Sequence, residues 1–202
     1  MITIVNYGMG NLGSLQNMFK RIGVKVRIES DPDMIKSSEK IVLPGVGAFD
    51  AAMQCINKKE GLREILEYKA LKEQTPVLGI CLGMQMLTES SEEGDLDGFG
   101  WISGHTIRFP KVEDIRIPHM GWNVALPTKS SQLIGQSFVE TRYYFVHSYY
   151  VHVKDQSQSL MKTHYGIEFD SAIERDNIYG VQFHPEKSHR YGMQILQNFA
   201  RL

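Results

Sequence analysis

A chain of 202 residues with 22 basic and 23 acidic side chains, net charge −1, has room for one domain with a full hydrophobic core and is cramped for two. Its charges form no blocks that would draw it to nucleic acid or a membrane surface, and two cysteines, Cys55 and Cys81, cannot build a disulfide framework. No apolar run approaches membrane-spanning length, and the chain does not open with a basic stretch followed by an apolar one, so a soluble, cytoplasmic protein is expected.

Residues 1–7, "MITIVNY", predict a strand, and 11–22 predict a helix because Leu12, Leu15, Phe19 and Ile22 recur three or four apart. A second strand over 24–29 ends at Glu29. Between the first two elements, Gly8, Gly10 and Gly13 spell G-x-G-x-x-G, the spacing of a dinucleotide-binding turn, with an acid placed to reach a ribose. Taken alone this is a weak signal, since any tight strand-to-helix turn can use glycines.

The apolar runs at 40–43 and 76–80 predict buried parallel strands, with helices over 48–57 and 61–72 and another over 82–90. "SSEEGDLDGFGW" reads as loop. From about 105 to 183 the pattern is β-rich, clearest in "YYFVHSYYVHV" and "IYGVQFH". A last helix, "YGMQILQNFARL", carries apolar residues at 193, 195, 196 and 199. The alternation predicts an α/β fold: an open, mostly parallel central sheet with helices on both faces and a β-rich second half, in one domain spanning 1–202.

The sharpest local feature is "TPVLGICLGMQML", where a buried strand ends at Ile80, Cys81 follows, and a helix begins at once with Gly79 and Gly83 on either side. Small neighbours let the chain bend tightly and leave the thiol accessible, the build of a nucleophile elbow, and a helix N-terminus favours the thiolate. The competing reading of Cys81 is a small core residue. A base is available in "GVQFHPEKS": His184 and Glu186, two apart at a strand end, can share a face, so the carboxylate could fix the imidazole that serves the cysteine. H-x-E also occurs in zinc deaminases, but the P-C-x-x-C they need is missing, and His105, His119, His147, His152, His164 and His189 form no H-E-x-x-H pair. No metal and no cofactor are expected. A third glycine turn, "LPGVGAFD", could aim the N–H groups of Val46 and Gly47 at an oxyanion, with the amide of Leu82 as a second donor.

Together, "PGVG", "GICLGMQ" and "GVQFHPEKS", with "PHMGWN" at 118–123 and "YFVHSYY" at 144–150, resemble the class I (triad-type) glutamine amidotransferases over nearly the whole chain. The resemblance implies a flavodoxin-like fold and a glutaminase in which Cys81 attacks the side-chain amide of glutamine, His184 gives a proton to the leaving ammonia and Glu186 orients His184. It implies that Gln85 and the backbone around Gly47, His147, Ser148 and Tyr149 hold glutamine. Within the family the chain is similar to glutaminase subunits that form a heterodimer with a (β/α)8-barrel synthase (cyclase) subunit making imidazole glycerol phosphate for histidine. Asn11, Met120, Trp122 and Lys187 match positions that touch or signal to that partner; core filling is the competing reading for Met120 and Trp122. The "GMGNLG" and "HPEKSHRYGM" stretches also resemble a paralogous branch that supplies ammonia to a nucleotide-sugar amidotransferase of surface polysaccharide, so the acceptor stays open at this point. Asn6 stands where relatives often carry Asp, and Met9 where some have Pro; neither change removes a catalytic group.

Overall fold

The computed structural model describes residues 1–111, 115–135 and 140–202. Its first half alternates strand and helix: β1 (Ile2–Val5), α1 (Leu12–Arg21), β2 (Val26–Glu29), α2 (Pro32–Ile35), β3 (Lys40–Gly45), α3 (Phe49–Lys58), α4 (Leu62–Glu67), β4 (Val77–Cys81) and α5 (Leu82–Met86). A π-helical turn, Tyr68–Lys72, prolongs α4. The second half is mainly strand: β5 (Ser90–Ser91), β6 (Gly104–Arg108), β7 (His119–Pro127), β8 (Thr141–His147), β9 (Tyr149–Val153), β10 (Ser159–Tyr165), β11 (Ile167–Arg175) and β12 (Ile178–Val181), before α6 (His189–Arg201).

One sheet runs β2-β1-β3-β4-β12-β11-β10-β7-β8. From β2 to β12 its strands are parallel; from β11 onward they are antiparallel. A branch of β9, β6 and β5 leaves from β11. The expected parallel sheet is therefore present, and the β-rich half is its antiparallel extension. β1, β4 and β12 are buried along their whole length, which is why they read as continuous apolar runs and not as alternations.

Helices cover both faces. On one, Leu15, Met18 and Phe19 of α1 pack with Ile195, Leu196 and Phe199 of α6. On the other, Ala52, Met53 and Ile56 of α3 meet Leu62 and Leu66 of α4 and Met84 and Met86 of α5. The stop of α1 is written in "RIGV": Gly23, at φ +76, allows the Val24 N–H to bond the Phe19 carbonyl and its own N–H to bond that of Lys20, which satisfies the last carbonyls of the helix.

Some boundaries differ from the sequence expectation. The first strand ends at Val5, because Tyr7 turns its hydroxyl to the Pro44 carbonyl. The helix expected over 82–90 stops at Met86; the Thr88 hydroxyl donates to the Gln85 carbonyl at 2.7 Å, and Ser90–Ser91, expected as loop, pair with β6. Of the three glycines that follow β1, Gly8 and Gly13 face open space and Gly10 packs closely on β3. A Cβ on Gly10 would lie 3.1 Å from Pro44 Cβ, and one on Gly47 would lie 2.8 Å from Met9 Cε. Glu29 accepts from the Ser30 and Asp31 N–H groups at 2.7 and 3.0 Å instead of facing a ribose. Gly10 and Gly47 let the ends of β1 and β3 approach each other, and the dinucleotide reading is set aside.

Candidate active site

The parallel order β3-β4-β12 places three carboxyl-terminal turns side by side: Val46 and Gly47 after β3, Cys81 at the end of β4, and Gln182–His184 after β12. This edge is where open α/β sheets bind ligands. Cys81 sits there at φ +55, ψ −110, a conformation costly for any residue with a Cβ, and its strain points to function. The turn is held by contacts that only glycine permits. A Cβ on Gly79 would come within 2.6 Å of the Gly83 carbonyl oxygen, and one on Gly83 within 1.8 Å of the Leu43 carbonyl oxygen.

His184 Nδ1 lies 2.8 Å from Glu186 Oε1, both side chains only 3% exposed. With Nδ1 so engaged, the other ring nitrogen is left for Cys81, which lines the same cavity. Burial alone would strip His184 of its proton; the hydrogen bonds to Cys81 and Glu186 outweigh it and push the pKa up to about 10. The three residues singled out from sequence, Cys81, His184 and Glu186, thus lie together at this edge. The turn bearing His184 is clamped by β8: the His184 N–H donates to the Tyr144 carbonyl at 2.9 Å, and the Ser188 hydroxyl both donates to the His184 carbonyl and accepts from the Tyr144 N–H.

Around this centre lies a cavity of about 350 Å³ lined by Val46, Gly47, Cys81, Leu82, Gln85, His147, Ser148, Tyr149, His184 and Lys187, all singled out from sequence, and by Glu93, Pro118 and Val146, which were not. Gln85 Nε2 donates to the Tyr149 carbonyl at 3.1 Å and to Gln182 Oε1 at 3.2 Å, while Gln182 Nε2 lies 3.7 Å from Cys81 Sγ. Gln182 escaped the sequence reading, although "GVQFHPE" places it two residues before His184. Among the described residues no three His, Cys, Asp or Glu side chains converge as a metal site.

Glu93 reaches the cavity from the polar loop after β5. Its Oε2 accepts from the Phe49 N–H at 2.9 Å, at the start of α3, where a negative charge is favoured. Asp50 in the same helix accepts from the Asp95 and Leu96 N–H groups, each at 3.0 Å, and so ties the loop down. Replacing Asp50 with Ala is expected to lower stability by about 1–3 kcal/mol, since two charge-assisted bonds are lost. Urea unfolding checks this.

Of the remaining expected residues, Met120 and Trp122 are 61% and 47% exposed on the outer face of β7, so they do not fill the core. Trp122 stacks on His189, with ring centroids 5.5 Å apart, and Lys187 Nζ stands 5.6 Å from the centroid of Tyr144. Asn11 is exposed just before α1 and makes no side-chain cap. None of Asn11, Met120 or Trp122 lines the cavity.

The family model for glutamine amidotransferase class-I matches residues 3–202, and the chain belongs to that family. Among individual relatives, it is 50% identical over 201 residues to imidazole glycerol phosphate synthase subunit HisH 2 of Methanococcus maripaludis, covering 100% of this chain and 99% of that one. It is 45% identical over 202 residues to the HisH 2 of Pseudomonas aeruginosa, covering 100% of both chains. The structure of PurLQS from Thermotoga maritima superposes with a TM-score of 0.78 at 14% identity over 99% of this chain and 97% of that one, a likeness of fold.

Proposed function

We propose that this chain is the glutaminase subunit of imidazole glycerol phosphate synthase, hydrolysing glutamine and passing ammonia to a (β/α)8-barrel synthase subunit in L-histidine biosynthesis. The observation that carries the reading is Cys81 and the His184–Glu186 pair, bonded at 2.8 Å, meeting at one cavity, in a chain half identical from end to end to a HisH subunit.

In this mechanism the Cys81 sulfur attacks the carboxamide carbon of glutamine. The oxyanion is met by the Leu82 amide and those of Val46 and Gly47. His184 protonates the departing nitrogen, which leaves as ammonia, and a γ-glutamyl thioester remains. Water, giving its proton to His184, attacks the thioester; glutamate leaves and Cys81 is restored. Gln85, His147, Ser148 and Tyr149 hold the substrate, with Glu93 opposite its ammonium group. Glu186 keeps the imidazole oriented and charged. Asn11, Met120, Trp122 and Lys187 belong to the face that meets the barrel subunit. The whole chain, 1–202, works as one cytoplasmic domain in a heterodimer; among the described residues no helix is long and apolar enough to cross a membrane.

Glutamate release by the purified chain is expected to be low alone and to rise strongly with the histidine-pathway barrel subunit and its ribonucleotide substrate. Activity indifferent to that subunit would leave a glutaminase but remove this partner. A further check concerns Glu186→Gln. Without the carboxylate the imidazolium loses its counter-charge, so the alkaline limb of the rate profile, expected near the His184 pKa of about 10, moves to lower pH by roughly 1–2 units. Turnover falls by roughly 10²–10⁴-fold. A profile that kept its alkaline limb in place would contradict the assigned role.

A further inference from the structure

Behind the cavity runs a hydrogen-bond chain whose polarity is fixed at both ends by backbone groups, which cannot reverse. At one end, Asn123 Oδ1 accepts from the Val124 N–H at 2.8 Å and Asn123 Nδ2 donates to the His164 carbonyl at 3.0 Å, which settles the orientation of the amide. The same Nδ2 lies 3.2 Å from His119 Nε2, so that nitrogen accepts and the ring carries its proton on Nδ1. His119 Nδ1 lies 3.0 Å from His147 Nε2, which therefore accepts in turn. His147 Nδ1 donates to the Tyr149 carbonyl at 2.7 Å, the same carbonyl that receives Gln85. Read from either end, the chain allows one set of tautomers: both histidines neutral, both protonated on Nδ1.

We infer that His119, locked by Asn123 in its Nδ1–H tautomer, is a positioning residue for the ligand pocket. It fixes His147, and through it the Tyr149 carbonyl against which Gln85 is set. The ligand's identity as glutamine rests on the function proposed above; the hydrogen-bond chain does not. His119 is only 2% exposed and lies between Phe145, at 4.8 Å, and Tyr165, at 4.0 Å between ring centroids, so the ring has no room to seek another partner. Burial lowers the pKa of His119 to about 4 and that of His147 to about 3, which keeps both rings uncharged near neutral pH. A second proton on His119 would set Nε2–H against the Asn123 NH₂, donor against donor.

Two measurements test this. With isotope-labelled histidine nitrogens, long-range proton–nitrogen correlation spectra of the whole chain near neutral pH are expected to show one proton on each of His119 and His147, at Nδ1. In Asn123→Asp, an isosteric change that replaces the donor by an acceptor, His119 is expected to gain a proton on Nε2. Either ring found protonated on Nε2, or doubly, in the parent chain overturns the inference. In glutamate-release assays with the barrel subunit present, His119→Leu is expected to raise the glutamine KM about tenfold with kcat nearly unchanged. His119→Asn, which keeps a donor at the Nδ1 position, is expected to restore KM to within about twofold. An unchanged KM in a folded Leu variant, or equal KM values for Leu and Asn, overturns it. The spectra need no turnover, so a parent complex that released no glutamate would count against the proposed function while the hydrogen-bond chain was still decided.

Discussion

Cys81→Ala is expected to lower glutamate release by roughly 10⁴–10⁶-fold, because it removes the only atom that forms the covalent intermediate and leaves just the oxyanion donors and binding contacts. The loss should appear in kcat and not in the affinity for glutamine, since Gln85, Glu93 and the backbone of residues 147–149 are untouched. Stability should move little, by at most about 1–2 kcal/mol, as the thiol gives up a long contact with Gln182 and its interaction with His184 while a Cβ remains in the strained turn. Cys81→Gly makes the converse point. At φ +55, ψ −110 glycine escapes the steric cost, so this inactive variant is expected to be more stable than Cys81→Ala by about 1–2 kcal/mol. Steady-state kinetics and urea unfolding of both variants check this; a Gly variant no more stable than the Ala variant would show that the turn stores no strain.

Gly83→Ala is expected to be the most damaging conservative change to the fold. Alanine in a helix ordinarily gains about 1 kcal/mol over glycine. Here its Cβ would stand 1.8 Å from the Leu43 carbonyl oxygen and 2.9 Å from the carbonyl carbon, both backbone atoms of a buried strand that cannot swing aside. To make room, α5 must lift away from β3, opening the layer that holds Met84 and Met86. A net loss of about 3 kcal/mol or more is expected, from overpacking against rigid neighbours. For a chain of this size that corresponds to a fall in Tm of roughly 6–12 °C. A Tm within about 2 °C of the parent would contradict the packing argument. Activity should fall with it, because Cys81 and Leu82 are carried on the same turn.

The two predictions mark what was legible in the sequence. Cys81 between Gly79 and Gly83 could be found because a tight strand-to-helix turn at a cysteine needs small residues at fixed offsets, a demand confined to a few neighbours, although Cys81 itself is only 7% exposed. His184 and Glu186 were legible as an H-x-E pair two residues apart, but β12 ends at Val181, and they meet through a 3-10 turn over Pro185–Lys187 and not by alternation along a strand. The helices showed in their periodicity, down to the glycine that stops α1. The boundaries that slipped, at Val5 and Met86, were set by Tyr7 reaching for Pro44 and by Ser90–Ser91 finding β6, contacts with elements distant in the chain.

Sequence by itself therefore determined the α/β class and singled out Cys81 and the His184–Glu186 pair, since backbone conformation and hydrophobic period act over a few residues. Tertiary structure decided the rest. Gln85 meets Gln182 across 97 residues, Phe49 meets Glu93 across 44, and His119 meets His147 across 28. No local window holds both partners of these contacts. The first and last exist because β12 pairs beside β4 and β7 beside β8, and that pairing is chosen by burying both faces of the sheet at once, a condition on the whole chain and not on any segment of it.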